Sequence, residues 1–153
     1  MRKQRSRSEH ADRAREFDAF VAGAAGRLLH VATLLTAETR ARDPYARALL
    51  TAALAHTYAV RDRRRDEDPY ALTRDELALR FARTAWRFRT GRGGVLGVLT
   101  PWERLVLVLR LYEGVPEEQT AALLGLSEAR VRAVCARAVA RMRTRTRGRE
   151  AAA

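Results

Sequence analysis

Several residue types that build other classes of protein are scarce in this chain. Its 153 residues include one cysteine, Cys135, so an internal disulfide cannot form. The longest uninterrupted apolar run, residues 105–109, is far shorter than the roughly 20 residues of a membrane-spanning helix. No apolar segment of signal-peptide type follows the basic N-terminus. The sequence therefore predicts a protein of the reducing cytoplasm that has no membrane partner.

Groups that could hold a metal ion or a phosphate are also missing from the sequence. The three histidines, His10, His30 and His56, are scattered and have no cysteine or carboxylate partner at metal-ligand spacing. The segment GRGG, residues 91–94, lacks the strand and the lysine that a phosphate-binding loop needs. We therefore expect no enzymatic activity, no cofactor and no metal site.

Positive charge is what the chain has in excess. It holds 30 basic and 18 acidic residues, a net charge of +12, and Lys3 is its only lysine. Such an excess favours a polyanionic partner, either nucleic acid or an anionic membrane surface. The bulky apolar residues are needed for a core, which favours nucleic acid, and the arginine fork suits phosphate. Codon bias in a GC-rich genome explains many individual arginines equally well.

Proline and glycine are few, and no segment alternates as a half-buried strand does, so the sequence predicts an all-α fold. Asp43 is expected to cap the second helix, and Thr73 to restart the third through the capping-box pattern TRDE. In chain order, the predicted segments are a disordered basic tail (1–8), a first helix (11–35), a second helix (44–60), a charged loop (61–68) and a third helix (69–90).

A glycine-rich stretch divides the sequence. Four of the nine glycines lie within residues 90–97, which is the composition of a domain boundary. We expect two small helical domains, residues 9–90 with three helices and residues 99–144 with a helix-turn-helix. A short linker, residues 91–98, joins them, and residues 145–153 form a second basic tail.

The C-terminal part has the pattern of a helix-turn-helix. TPWE, residues 100–103, is a capping box with proline at the first helical position, and Gly114 ends the apolar helix that follows. A short helix over 116–124 is followed by Gly125, which can take the left-handed conformation that a sharp turn needs. Ser127 is a good N-cap for a last helix. This order of elements is typical of helix-turn-helix domains.

The last helix has two distinct sides. Its apolar stripe comprises Val131, Val134, Cys135, Ala138 and Met142. The opposite side carries four alanines, Ala129, Ala133, Ala136 and Ala140, between a row of Arg130, Arg137 and Arg141 and a row of Arg132 and Arg143. Small residues let a helix approach a groove closely, while arginines reach the phosphates on its walls. A plain solvated helix is the alternative. The candidate DNA contacts are Ser127, Glu128, Arg130, Arg132, Ala133, Arg137 and Arg141.

The motifs RLVLVLRLYEG, AALLGLS and RAVARMR occur in this order within residues 99–143. In order and spacing they resemble domain 4 of bacterial sigma factors of the extracytoplasmic-function class, in the sigma-70 family. The resemblance implies that this part reads the promoter −35 element and contacts the polymerase β flap. Residues 130–133 then occupy the family's Thr-Val-Lys-Ser stretch, where Arg132 keeps the basic character while Arg130 and Ala133 depart from it.

The N-terminal part resembles sigma domain 2 more loosely, in the actinobacterial branch of the family. The similar segments are EFDAFVAGAAGRLLHVATLLT and ALAHTY. The resemblance implies that this part docks on the β′ clamp of core RNA polymerase. Its candidate core-polymerase contacts are Leu49, Leu50 and Leu54. The family's acidic and glutamine residues just before ALAHTY are replaced here by Ala48, Thr51 and Ala52.

Two further segments, DPYAL and RFARTAWRF, resemble the region that holds the melted −10 strand. An aromatic side chain among arginines suits unpaired bases, on which it can stack. A core position for Trp86 is equally consistent with the sequence. The candidate −10 contacts are Arg74, Arg80, Arg83, Trp86 and Arg87.

The resemblance implies a sigma factor that binds promoter DNA and directs core RNA polymerase to initiate transcription at the nucleoid in the cytoplasm. An anti-sigma factor is a further candidate partner. The alternative is a sigma-derived helix-turn-helix regulator without independent initiation activity. The replaced clamp residues favour that alternative, and so does the linker, because about ten residues reach only about 35 Å when fully extended.

Overall fold

The structure, a computed structural model, describes residues 2–153; within this range it contains helices and turns, with one isolated bridge between Thr39 and Arg42. The helices are α1 (Arg2–Thr36), α2 (Pro44–Val60), α3 (Pro69–Arg83), α4 (Pro101–Leu107), α5 (Glu117–Leu124) and α6 (Glu128–Ala151). A short 3₁₀ helix, Ala85–Phe88, follows α3, and a π-helical segment, Val108–Tyr112, continues α4. The all-α fold class is confirmed.

The two outer helices are longer than the sequence suggests. Helix α1 begins at Arg2, so residues 2–8, for which we predicted disorder, are helical, while Met1 lies outside the described residues. Helix α6 likewise continues through most of the predicted tail to Ala151. Arginine, glutamine and alanine are good helix formers, and a helix that is anchored in a core extends through such residues at little cost.

The start of α2 is capped by a residue other than the one predicted. Asp43 makes no capping hydrogen bond; its carboxylate accepts from Arg47 Nε at 2.8 Å. The buried Glu38 carboxylate accepts from the backbone N–H of Ala46 at 2.8 Å and of Tyr45 at 3.2 Å instead. These N–H groups have no partner within the helix, so Glu38 fixes the entry into α2.

Helix α3 begins without the predicted restart and ends early. The Asp68 carboxylate accepts from the N–H groups of Tyr70 and Ala71, which makes Asp68 the N-cap. Thr73 lies one turn inside the helix, fully buried, and its hydroxyl bonds the Thr57 hydroxyl at 2.8 Å. The TRDE pattern is therefore not a cap, because Thr73 has a partner on α2. The helix ends at Arg83, before the 3₁₀ helix.

One continuous core runs through both predicted parts of the chain. Leu35 and Phe81 from the N-terminal part share it with Leu105 from the C-terminal part. Leu96 in the linker and Leu99, the residue after it, belong to the same core, and both are buried. The division into domains stays a prediction, but the two parts pack together through the linker in this structure.

The linker packs against the end of α1. The N–H of Gly94 donates to the Ala37 carbonyl at 2.8 Å, and that of Arg92 donates to the same oxygen at 3.0 Å. A Cβ atom at Gly94 would lie 2.5 Å from the Ala37 carbonyl carbon, so only glycine fits there. The glycines of the linker thus serve close packing rather than flexibility.

Arg104, on α4, is the largest fully buried side chain among those described. Its guanidinium donates to three backbone carbonyls: Leu35 at 3.0 Å, Phe88 at 2.8 Å and Leu99 at 3.2 Å. Burial lowers the pKa of this guanidinium. One side chain therefore joins the end of α1, the 3₁₀ helix and the residue that follows the linker.

The apolar part of α1 is long. An 18-residue window within residues 3–36 has the length and composition of a membrane-spanning helix, although no single apolar run in the sequence approaches that length. Core helices pass the same test, and a third of the window is buried inside this fold. Leu28, Val31 and Leu35 are among its buried residues.

Candidate nucleic-acid interface

The turn between α5 and α6 has the predicted geometry. Gly125 ends α5 in the left-handed conformation, with φ 66° and ψ 32°, which favours glycine. The N–H of Leu126 then donates to the Ala121 carbonyl at 3.0 Å and closes the turn. The Ser127 hydroxyl accepts from the N–H of Arg130 at 3.1 Å, so the predicted N-cap of α6 is confirmed.

The core side of α6 is also as predicted. Val131, Val134 and Ala138 are buried, while Cys135 and Met142 are half-buried against the core. Burial raises the pKa of the Cys135 thiol. The helix therefore has one fixed orientation, and its opposite side must face outward.

The outer side of α6 faces solvent. All four of its alanines are exposed, so they are not packed against the chain's own interior. The five arginines beside them are exposed as well: Arg130, Arg132, Arg137, Arg141 and Arg143. This ridge, the alanines with their flanking arginines, is called the α6 ridge below. It has the shape and charge that contact with a DNA groove requires.

The arginines of the α6 ridge differ in their acidic partners. Arg132 pairs with Glu117 at 2.7 Å and Arg141 with Glu103 at 3.4 Å. Within residues 2–153, Arg130 and Arg137 pair with no carboxylate. Exposed ion pairs contribute little free energy, so a phosphate could replace Glu117 as the partner of Arg132.

The capping box at the start of α4 contacts the α6 ridge through Arg141. The Glu103 carboxylate accepts from the Thr100 N–H at 3.0 Å, and the Thr100 hydroxyl accepts from the Glu103 N–H at 3.3 Å. Glu103 is buried and also pairs with Arg141 on α6. The predicted capping box is therefore present, and it fixes α6 relative to α4.

Ser127 and Glu128 lie at the N-terminus of α6, where a recognition helix meets base edges. The Ser127 hydroxyl is used for capping, and the residue is exposed. Glu128 is exposed in the first turn, where a carboxylate also interacts favourably with the helix dipole.

The second predicted surface surrounds the 3₁₀ helix. Trp86 is 62% exposed, which rules out the core position that the sequence left open. The Arg87 guanidinium lies 5.1 Å from the centre of its ring, a cation–π contact. Arg83 is exposed nearby, whereas Arg80 pairs with Glu76 at 2.8 Å.

Arg74, the remaining −10 candidate, pairs with the neighbouring Asp75 at 2.9 Å and is half-buried. It is therefore less available to a nucleic acid than Arg83 or Arg87. The structure adds a cation–π pair that the sequence did not indicate: the Arg92 guanidinium lies 4.4 Å from the centre of the exposed Tyr45 ring. These residues are far apart in sequence, so no local pattern could reveal the pair.

The predicted contacts with core polymerase need one correction. Leu50 is only 7% exposed and faces the protein's own core, so it is not accessible to a partner in this structure. Leu49 and Leu54 are half-buried. Leu49 lines a groove of about 300 Å³ between α2 and α3, together with Tyr45, Arg83 and Phe88.

A glycine turn and a serine-capped helix with a basic outer face together form a helix-turn-helix, an arrangement typical of nucleic-acid-binding proteins. Residues 95–144, about a third of the chain, match the family model described as sigma-70, region 4. This segment belongs to that family. The resemblance to sigma-70 factors of the extracytoplasmic-function class is thereby confirmed, while the resemblance of the N-terminal part to domain 2 stays a prediction.

Two curated relatives are both named RNA polymerase sigma-E factor. The one from Streptomyces avermitilis is 43% identical over 56 residues, which is 37% of this chain and 31% of the relative. The one from Streptomyces coelicolor is 49% identical over 49 residues, which is 32% of this chain and 28% of the relative. The match thus spans less than a third of either relative's length. No solved structure matches the chain significantly.

Proposed function

We propose that this chain is a sigma-factor-like protein that binds promoter DNA through the α6 ridge and directs core RNA polymerase to initiate transcription there. The observation that carries the proposal is the outward, arginine-flanked face of α6 within a region 4 segment. Its partners would be promoter DNA and core polymerase, with the β flap and β′ clamp as contact points, and an anti-sigma factor as a regulator. It would work on the nucleoid in the cytoplasm.

The α6 ridge suits a major groove. Its alanines leave room for the helix to enter, and they can contact thymine methyl groups. Arg130 near the helix N-terminus can reach base edges, where arginine binds guanine through two hydrogen bonds. Arg137 lies two turns further along, where a helix that leaves the groove meets the phosphates. The ridge has no asparagine or glutamine, so adenine is not read by those side chains.

The Trp86 surface supports a second step, the holding of unpaired bases. An exposed indole beside arginines offers stacking and phosphate contacts together, and stacking contributes about 1–3 kcal/mol per base. Arg83 and Arg87 supply the charge, since neither pairs with a carboxylate among the described residues. This supports a role in melting or retaining the −10 strand.

The second candidate function is a DNA-binding regulator without initiation activity. Two observations favour it: the linker is packed into the core, and Leu50 is buried away from the surface on which a clamp would dock. A transcription assay with purified components distinguishes the two candidate functions. We expect purified chain with core polymerase to give promoter-dependent transcripts, whereas DNA binding without core association would support the regulator.

DNA binding by the ridge is tested through its salt dependence. Arg137→Ala should weaken binding to any duplex and flatten the slope of log K against log salt by about 0.9, the loss of one phosphate contact. The matched control is Arg15→Ala on α1, which removes the same charge from an exposed site paired with Asp12. Equal slopes for both variants would show that Arg137 does not contact a DNA phosphate.

A further inference from the structure

An open groove of about 750 Å³ lies where α1, the linker, α4 with its π-helical end, and α6 meet. Two of its lining residues, Leu96 and Val108, are buried members of the continuous core, so the packing of the whole chain fixes the groove's inner wall. Further apolar side chains line it from all sides: Leu34, Leu107, Leu111, Val139 and Met142.

Leu111 is the most exposed of these apolar residues. It lines the groove, is 61% exposed, and lies in the π-helical segment, a kind of distortion that often occurs at functional sites. An isolated exposed leucine is ordinary on a protein surface, but this one continues a concave apolar lining. Concave sites of about 300–1,000 Å³ that are mostly apolar and carry a few polar groups are the usual form of small-molecule sites.

The arginines of the groove come from one part of one helix. Along α6 the lining begins with Val139 and Met142 and ends with Arg143, Thr146 and Arg147. Residues four apart lie on the same side of a helix, so Val139, Arg143 and Arg147 form a row about 12 Å long that is apolar at one end and basic at the other. Among residues 2–153, neither arginine pairs with a carboxylate, and no aspartate or glutamate lines the groove.

The other polar side chains that line the groove are His30 and Tyr112, whose ring centres lie 5.2 Å apart. Burial and, to a smaller extent, the charge of Arg40 lower the pKa of His30. The imidazole is therefore neutral at pH 7, and the permanent charge of the lining is that of the two α6 arginines.

We propose that this groove binds a free fatty acid as its carboxylate, with the acyl chain against Leu111 and the other apolar residues and the headgroup at Arg143 and Arg147. The site goes beyond the proposed function and does not depend on it. An apolar groove with positive charge at one end matches a ligand with one apolar chain and one anionic end, and arginine binds carboxylate through two parallel hydrogen bonds. A neutral lipid would leave both arginines without a counterpart.

The acyl-chain part of the site is tested by calorimetric titration of the full chain with decanoate and dodecanoate below their micelle concentrations. Each methylene that enters an apolar site strengthens binding about fourfold, so dodecanoate should bind about 15-fold more tightly than decanoate. Leu111→Asp removes apolar surface and adds a negative charge, and it should weaken dodecanoate binding by about tenfold or more. The matched control, Val98→Asp, makes the same charge change at an exposed apolar residue outside the groove and should bind as the wild type does.

The carboxylate part of the site is tested with Arg147→Gln. This variant should weaken decanoate binding about 3- to 5-fold, the range of an exposed ion pair, and leave the binding of decanol unchanged, because decanol has the same chain without the charge. The matched control is Arg149→Gln, two residues further along α6 and about 200° around its axis. It should leave the binding of both ligands unchanged.

Equal affinities for decanoate and dodecanoate, or equal dodecanoate binding by the Leu111 and Val98 variants, would overturn the proposal. Equal decanoate binding by the Arg147 and Arg149 variants would overturn the assigned headgroup position. Self-association in sedimentation equilibrium that Leu111→Asp abolishes would show that a second copy covers the groove, and loss of core-polymerase binding in that variant without any dodecanoate binding by the wild type would assign the groove to a protein partner. Either result would also overturn the proposal. The titrations contain no DNA or polymerase, so failure of the proposed function would leave their outcome unchanged.

Discussion

Arg104→Met removes a buried side chain that joins three segments of this fold. Methionine fills much of the same volume, so the variant isolates the loss of the hydrogen bonds from the loss of packing. The carbonyls of Leu35, Phe88 and Leu99 would be left in the core without the donor that they have now. A buried acceptor left without its donor costs about 1–3 kcal/mol, and three carbonyls lose theirs while the cost of burying the guanidinium is relieved, so we expect a net loss of about 4 kcal/mol in the free energy of unfolding.

Urea unfolding followed by circular dichroism measures this loss. With a slope of about 2 kcal/mol per molar urea, a loss of about 4 kcal/mol lowers the midpoint by about 2 M. Arg104→Lys should lose nearly as much, because a single ammonium cannot reach three carbonyls in the planar arrangement that guanidinium provides. Arg130→Met, on the exposed α6 ridge, should stay within about 0.5 kcal/mol of wild type. A midpoint for Arg104→Met that matches the Arg130 variant would refute the assigned role of Arg104.

Three smaller perturbations test other parts of the structure. Trp86→Ala should leave stability unchanged but weaken binding to single-stranded DNA by about 1–3 kcal/mol in a fluorescence titration; an unchanged affinity would count against base stacking. Gly94→Ala should destabilise the chain by about 1–3 kcal/mol in urea unfolding, since its Cβ overlaps the backbone of Ala37, and wild-type stability would contradict that overlap. Burial raises the pKa of Cys135, so its thiolate is scarce at pH 8; iodoacetamide, followed by mass spectrometry, should modify it much more slowly in the folded chain than in urea.

The features predicted well from the sequence are those that depend on neighbours along the chain. The valine stripe of α6, the glycine turn and the Ser127 cap are all encoded within one helical turn of the residue concerned. Helical periodicity fixes which side of α6 is buried once any core exists, so the outward direction of Arg130 and Arg137 follows without knowledge of the rest of the fold.

The features missed from the sequence depend on residues far apart in the chain. Asp43 had the expected position for a cap, but the Glu38 carboxylate, five residues earlier, reaches the free N–H groups of α2 because the chain turns back between them. Thr73 had a capping-box pattern, but a hydroxyl on α2 offered it a buried partner. In both places, a tertiary hydrogen bond takes the polar group that the local sequence pattern had assigned to a helix cap.

The exposure of Trp86 follows from a local pattern that points the same way as the structure. On a helix at 100° per residue, Phe88 lies about 20° and Trp86 about 140° around the axis from Phe81. Helix α3 ends at Arg83 and a 3₁₀ helix follows, yet Phe88 is buried and Trp86 is exposed, as that period predicts. The spacing from Phe81 therefore favours an exposed Trp86 over a core position.

Arg104 is buried and stabilises the fold, while other arginines of this chain are exposed and available to a partner. The net charge includes both kinds equally. Arg104 adds to the net charge of +12, yet it is buried and holds backbone carbonyls rather than a phosphate. Arg137 adds the same charge on an exposed face without a carboxylate partner among residues 2–153. The surface available for DNA is therefore less basic than the sequence alone suggests. Among the exposed arginines, those of the α6 ridge and around Trp86 are the candidate contacts. Binding should depend on those positions far more steeply than on total charge, which is why Arg137 and Arg15 are expected to differ although each removal changes the net charge equally.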